Sequence, residues 1–427
     1  MTSRPRPFLV AILIGLVAEI LFLWGVATPH GLVFDEIHYV PAARALLALQ
    51  APLNTEHPLL AKEFIAAGIA LFGDNSLGWR FFSTIASATT VMGVFAILWL
   101  LFGRMRPAMI GVGLALLNFT IYVQARIAML DGFLAAFTVL AVAAMLWAMT
   151  APPGKAWPRW VLSAVLFGLA VAAKWVAAPY LAFAGIAFLI VRWRDARTAK
   201  RPLAAMLSGK DQPHWPGLPA IPALAAFGLI AIAVYFLTFL PAFFYHDDPM
   251  TLAGLLPLQV KMYAQQTQVL PHHTYQSSWW SWPLMIRPIW YFYEPADGAM
   301  RGILMLGNPA ILWGGLVAVA ACLWGGMRAR DGRLLVAGSL WIASYLPWVI
   351  IPKSLGFFYY YYLPTIALPI AIAAAFDRYA KGRLIYWDEG FMVMCFGLAV
   401  YFFPILSAAP LPNEQAFAHW MWFSSWP

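Results

Sequence analysis

The sequence predicts an all-α protein that crosses a membrane many times. Three observations lead there. Of its 427 residues, 63% are hydrophobic and only 11% charged, far from the balance of a water-soluble domain. Apolar segments recur at lengths able to cross a bilayer core of about 30 Å, which takes roughly 20 helical residues. The segments between them alternate, with short basic connections on one side and longer, acid-bearing ones on the other.

About eleven transmembrane helices follow: 8–27, 77–102, 108–124, 131–149, 160–175, 177–192, 219–241, 302–325, 334–352, 358–376 and 391–408. With the N-terminus in the cytoplasm, the cytoplasmic connections hold Arg4, Arg6, Arg104, Arg106, Lys155, Arg159, six basic residues from Arg192 to Lys210, and two further clusters at 328–333 and 378–383. Together these are 18 of the 27 Lys and Arg. Topology therefore accounts for the net charge of +9, and no nucleic-acid partner is needed. The opposite face receives 11 of the 18 acids, including Asp35, Glu36, Glu56, Glu63, Asp74 and Asp131. The first span begins like a signal peptide but is too long for one and lacks a small-residue cleavage site, so it reads as uncleaved. Cys322 and Cys395 lie in apolar runs and read as packing residues.

One integral membrane unit, 1–427, divides into an N-terminal half (1–241) with a first outward loop at 28–76, a second outward loop at 242–301, and a C-terminal helical bundle at 302–427. In the first loop, Pro41 followed by AARALLALQ predicts an amphipathic juxtamembrane helix with the proline in its first turn, where a missing N–H does no harm. The second loop is rich in aromatics, with SSWWSWP at Ser277–Pro283 and IWYFYE at Ile289–Glu294, residues that suit a membrane interface.

The chemistry-bearing residues sit in or beside these outward segments. LVFDEIHYV places Asp35 and Glu36 directly after the first span. Asp35 reads either as an acid in a helix first turn or as a base; Glu36 reads as a group orienting Asp35 or a cation. EHPLLAKEF carries His57 and Lys62, and LGWRFFS carries Arg80 at the edge of a span, where a guanidinium either grips phosphate or snorkels to the interface. ARIAMLDGF carries Arg126 and Asp131, which pair with each other or with the first loop. GLAVAAKWVAAPY carries Lys174, an isolated ammonium whose expected partner is a phosphate or a carboxylate. Trp279, Trp280, Trp282 and the tyrosines of GFFYYYYLP, Tyr361 among them, serve as packing, as belt residues, or as stacking surfaces. His246-Asp247-Asp248 and His272-His273 lack the spacing of a zinc site, and no metal is expected. Glu19, inside the first span, has no partner visible in the sequence.

Taken in order, these motifs resemble the protein O-mannosyltransferases of the GT-C superfamily of lipid-carrier-dependent glycosyltransferases, over nearly the whole chain. The resemblance implies a polyprenyl-phosphate mannose donor, a serine or threonine hydroxyl of a protein as acceptor and inversion at the anomeric carbon; no cofactor is expected, the charge distribution puts the site on the non-cytoplasmic face, and the alanine-rich composition and short loops favour a bacterial inner membrane. A polyprenyl phosphate is a good leaving group as it stands, so the reaction needs a base and a positive field. The expected catalytic residues are Asp35 and Glu36, the donor phosphate ligands Arg80, Lys174 and Arg126, and the sugar or acceptor contacts His57, Lys62, Asp131, Trp279 and Tyr361. Two departures stand out: His57–Lys62 reads HPLLAK where the family has HPPLGK, and the soluble module of the eukaryotic enzymes is missing. A lipid or glycan acceptor is the first alternative. A transporter is the second, kept open by Lys174 and Glu19, although no inverted repeat is apparent.

Overall fold

The computed structural model describes residues 6–152, 154–351 and 353–427; Arg4 lies outside them. The chain forms α1 (Pro7–Leu23), α2 (Glu36–Leu47), α3 (Leu60–Phe72), α4 (Ser76–Phe102), α5 (Met105–Leu116), α6 (Phe119–Ala125), α7 (Leu130–Met149), α8 (Ala156–Ala173), α9 (Ala178–Thr198), α10 (Ala220–Leu237) and α11 (Leu255–Thr267). A hairpin of β1 (Ile289–Ala296) and β2 (Ala299–Met305) follows, then α12 (Pro309–Ala329), α13 (Gly332–Ile350), α14 (Tyr362–Tyr379) and α15 (Trp387–Leu406).

Among the described residues, nine helices are long and apolar enough to cross a membrane, and the α5–α6 pair makes ten if it is one broken span; α1 is apolar but shorter. The expected eleven thus becomes nine or ten. The break in 108–124 is a bend of 60° between α5 and α6. Two asparagines meet the polar groups that it frees. Asn118 caps α6 and donates to the carbonyl of Thr365 at 3.1 Å, while Asn308 donates to the carbonyl of Leu117 at 3.1 Å. The span placed at 302–325 begins later, at Pro309, because 299–305 is a strand.

That hairpin is a two-stranded addition to a fold whose helical class is as expected. Asp297 and Gly298 turn the chain with φ of +48° and +75°, a conformation an Asp-Gly pair favours. The ladder slips between Trp290 and Phe292, leaving Tyr291 as a bulge. The juxtamembrane helix is also corrected: α2 starts at Glu36, so Pro41 lies inside it rather than in its first turn.

α14 is the axis of the bundle, with 89% of its apolar window buried, and it packs against α4, α5, α12 and α13. α4 spans 27 residues, about 40 Å of helix, from an Asn75 cap to Gly103 in the left-handed conformation. Near its start α4 meets α3 with backbones almost touching, since a Cβ on Gly68 would stand 2.1 Å from the carbonyl oxygen of Gly78. The end of α1, the starts of α4, α7, α9 and α14, and the end of α8 therefore meet at one end of the bundle. At the other end Arg104 pairs with Asp377, and Arg106 with Asp388 and Glu389. Cys322 and Cys395 are free and buried.

Candidate active site

The turn after α1 is built around one guanidinium. Arg80, fully buried at the start of α4, donates from Nε and Nη2 to the two oxygens of Glu36 at 2.8 and 2.9 Å. Its remaining donors reach the carbonyls of Val26, Pro29 and Gly31. Glu36 is equally saturated, because its oxygens also accept the amides of Val33 and Ala128, each at 2.8 Å. Arg126 does similar work beside it, bonding the carbonyls of Trp24, Gly25 and Ser407. Arg80, expected to grip phosphate, has all its donors taken up in shaping the loop, whereas Arg126 gives only part of its fork to loop carbonyls and meets no carboxylate. Glu36 orients a cation, one of its two expected roles, and with no free lone pair it is not a base.

Asp35 is left apart by this lock. It stands at the first position before α2 yet makes no capping bond, and among the described residues its carboxylate receives only a long hydrogen bond, 3.4 Å, from Tyr39 Oη. Burial pushes its pKa up to about 6, with Lys174 and His38 pulling down and Asp131 pushing up. Phe34 before it has φ of +50°, rare for an aromatic residue. The ring that holds this strained turn comes from the hairpin: Tyr291, aimed inward by its bulge, stacks on Phe34 at 4.3 Å and receives a hydrogen bond from Gln124 Nε2 at 3.1 Å. Tyr359 closes on Phe34 edge-on at 5.6 Å.

Lys174 stands where α8 breaks, its backbone extended, with Pro179 in the first turn of the helix that resumes. Its ammonium binds both oxygens of Asp131 at 2.9 and 2.8 Å and lies 5.5 and 5.8 Å from the ring centres of Tyr359 and Tyr360. Asp131 is therefore not the partner of Arg126. It sits in the first turn of α7, where the helix dipole favours a carboxylate. An ammonium held by one carboxylate keeps a third N–H for another anion.

The remaining candidates divide. Lys62 is buried and knits the first loop, donating to the carbonyls of Asn54 at 2.7 Å and His57 at 2.9 Å; burial pushes its pKa down to about 7 against the pull of Glu56 and Glu63. His57 packs edge-on against Tyr39 and, with Lys62, lines a cavity of about 530 Å³ between the two outward loops. Burial, with Lys174, Lys62 and Lys353 nearby, holds its pKa well below the usual imidazole range. Tyr361 is corrected to a core residue, accepting from Trp341 Nε1 at 2.7 Å and packing on Tyr345. Trp279 lies against Tyr345 and neither stacks on nor bonds the Asp35 or Lys174 groups. His246 and Asp247 use their backbone amides to tie the second loop to Leu49 and Gln50. Glu19 finds its partner in Thr84, whose hydroxyl donates at 2.6 Å. Three site residues escaped the sequence reading. Tyr39, one turn further along α2, bonds Asp35, and Tyr291 of β1 stacks on the neighbouring Phe34. Lys353, a surface residue just before the tyrosine run, has its pKa lowered by partial desolvation and by the nearby Lys174 ammonium.

Known families and solved structures match this chain in sequence and in architecture. The profile of the dolichyl-phosphate-mannose-protein mannosyltransferases matches residues 12–247, and that of the C-terminal four-span region of protein O-mannosyltransferases matches 251–330. The chain belongs to this mannosyltransferase family. A polyprenol-phosphate-mannose–protein mannosyltransferase of Mycobacterium tuberculosis is 27% identical over 99% of this chain and 92% of its own length. Among solved structures, the S. cerevisiae protein O-mannosyltransferase Pmt1-Pmt2 complex bound to the sugar donor superposes with a TM-score of 0.82 at 13% identity, covering 100% of this chain and 93% of the yeast chain. ArnT from Cupriavidus metallidurans bound to undecaprenyl phosphate gives 0.55 at 17% identity, over 96% and 76% of the two chains. These likenesses establish the GT-C fold for this family member, a multi-pass membrane protein.

Proposed function

We propose that this mannosyltransferase moves mannose from a polyprenyl-phosphate carrier to a serine or threonine hydroxyl of a protein, at the site around Asp35. The observation that carries the assignment is the contrast between adjacent carboxylates: Glu36 has every oxygen occupied, whereas Asp35 has one long hydrogen bond and a pKa near 6. A base poised near neutrality takes a proton most effectively there. The acceptor oxygen attacks the anomeric carbon as its proton passes to Asp35, the bond from that carbon to the phosphate oxygen breaks, and polyprenyl phosphate leaves as an anion. A single displacement of this kind inverts the anomeric centre.

With Arg80 saturated and the Arg126 fork turned to the carbonyls of the loop, the phosphate is assigned to Lys174 and Lys353, the two ammonium groups near Asp35 and the tyrosines. These supply the positive field that the leaving group needs, so the reading calls for no metal. The distribution of basic residues supports a cytoplasmic N-terminus, with the site on the periplasmic or extracellular face of a bacterial inner membrane.

The test is transfer of labelled mannose from polyprenyl-phosphate mannose by protein reconstituted in vesicles, offered a threonine-rich peptide or a lipid acceptor. Label in the peptide is expected, with no change on adding a chelator. Label confined to the lipid would overturn the protein acceptor, and dependence on added metal would overturn the metal-free reading.

A further inference from the structure

α11 has two unlike faces. Inward, Met262 is fully buried, Gln259 accepts from the Tyr235 hydroxyl, Gln265 bonds Thr55 at 3.2 Å, and Gln266 donates to the carbonyl of Glu56 at 2.7 Å. Its far end is strapped by Lys353 and Ser354, which donate to the carbonyls of Gln266 and Gln268. The helix is thus fastened both to the loop that carries Asp35 and to the segment before the tyrosine run.

Outward, Leu256, Val260 and Tyr263 recur at spacings of four and three, which puts them on one stripe, and Leu252 stands exposed in the 3-10 turn just before the helix. Leu252, Leu256, Val260 and Tyr263 are 80, 68, 70 and 63% exposed, left open by the described residues of the chain. The only charged residue of α11, Lys261, lines the 530 Å³ cavity instead. We infer that this stripe is a lipid-binding surface: α11 is seated in the lipid layer at the site end of the bundle and holds the Asp35 loop from there.

Continuity with the membrane-spanning surface selects lipid as the occupant. The exposed apolar side of α10 runs through Leu237, Leu240 and Phe244 to the point where α11 docks. There Met250 N donates to the Ala242 carbonyl at 2.9 Å, and Leu255, Leu258 and Met262 pack with Tyr235 and Phe239. A stripe of bulky apolar side chains extending a lipid-facing surface, with its polar side turned to protein, has the form of an interfacial helix.

The test needs no knowledge of the reaction. Nitroxide labels are placed singly at Leu256, Val260 and Tyr263 in a chain carrying Cys322→Ala and Cys395→Ala, with His272 as the exposed loop reference, in phosphatidylethanolamine–phosphatidylglycerol vesicles. Oxygen collisions are expected to exceed those of a water-soluble nickel chelate severalfold at the three stripe positions, with the reverse at His272. Nickel dominance at Val260 would place the stripe in water. Low collision rates for both reagents would mean that a second copy or another protein covers it. Either result overturns the proposal. Should a labelled chain fail to fold, hydroxyl-radical oxidation of the unmodified protein in nanodiscs serves instead. Tyr263 is expected to react at least fivefold more slowly than in the delipidated protein, and an unchanged rate rejects the lipid seat.

Discussion

Arg80 and Glu36, 44 positions apart, share two hydrogen bonds at 2.8 and 2.9 Å with neither side chain exposed to solvent. The pair fixes the loop from Val26 to Glu36 by satisfying three backbone carbonyls and two amides along with itself. Breaking one side of a buried pair leaves an uncompensated charge, at a cost of about 3–5 kcal/mol. Glu36→Gln is therefore expected to lower the thermal midpoint of the purified protein markedly. Arg80→Lys, with three donors for five acceptors, should fall in between. Unchanged melting of both variants would remove the structural role assigned to this pair.

Asp35→Asn should leave melting unchanged or raise it, because the carboxylate holds no part of the fold beyond the long bond from Tyr39 and its burial disfavours the charged form. Transfer should fall by about 10²- to 10⁴-fold, the usual worth of a positioned base. Radiolabel transfer beside a melting curve separates the two effects, and a variant retaining a tenth of parent activity would sink the base.

The pH dependence follows from the same carboxyl. Raised to about 6, it is protonated and inactive below that value and available as a base above it. Under donor-limited conditions transfer should rise about tenfold per pH unit below 6 and level off above it. A rate that stays flat down to pH 5 contradicts the assignment.

Lys174 and Asp131 pose a separable question, since each is the other's buried partner. Lys174→Met alone strands a carboxylate and should both destabilise the protein and abolish transfer. Lys174→Met with Asp131→Leu removes both charges and should recover much of the stability, because apolar replacements of a buried pair are often tolerated. If Lys174 also holds the donor phosphate, the double variant stays inactive. Recovered transfer in the double variant would reduce Lys174 to a structural ion.

Tyr291 offers a test of how the turn before Asp35 is held. Tyr291→Phe keeps the stack on Phe34 and loses only the bond to Gln124, about 1 kcal/mol. Tyr291→Ala loses the ring, leaving the left-handed Phe34 unsupported. kcat should drop at least tenfold for Ala and less than threefold for Phe, with the KM for donor little changed. Equal effects of the two variants would show that stacking is not what holds the turn.

The sequence alone determined the solvent, the helical class, the end of the bundle at which the acids collect, and the adjacency of Asp35 and Glu36 to the first span. Hydrophobicity is summed over local stretches, and motifs are contiguous, so both can be read without a fold. The hairpin was not read from the sequence: β1 passed for part of an aromatic interfacial loop, and the end of β2 was absorbed into the span placed at 302–325. Only the tertiary structure decided which cation serves which anion. Arg80, Arg126 and Lys174 look alike in sequence, each beside apolar residues at the edge of a span. What separates them is whether their donors are already consumed by carbonyls and carboxylates arriving from elsewhere in the chain, as Glu36 arrives at Arg80 and Asp131 at Lys174. Hydrogen-bond saturation is a property of the folded neighbourhood, because the acceptors that fill a guanidinium come from several distant segments at once.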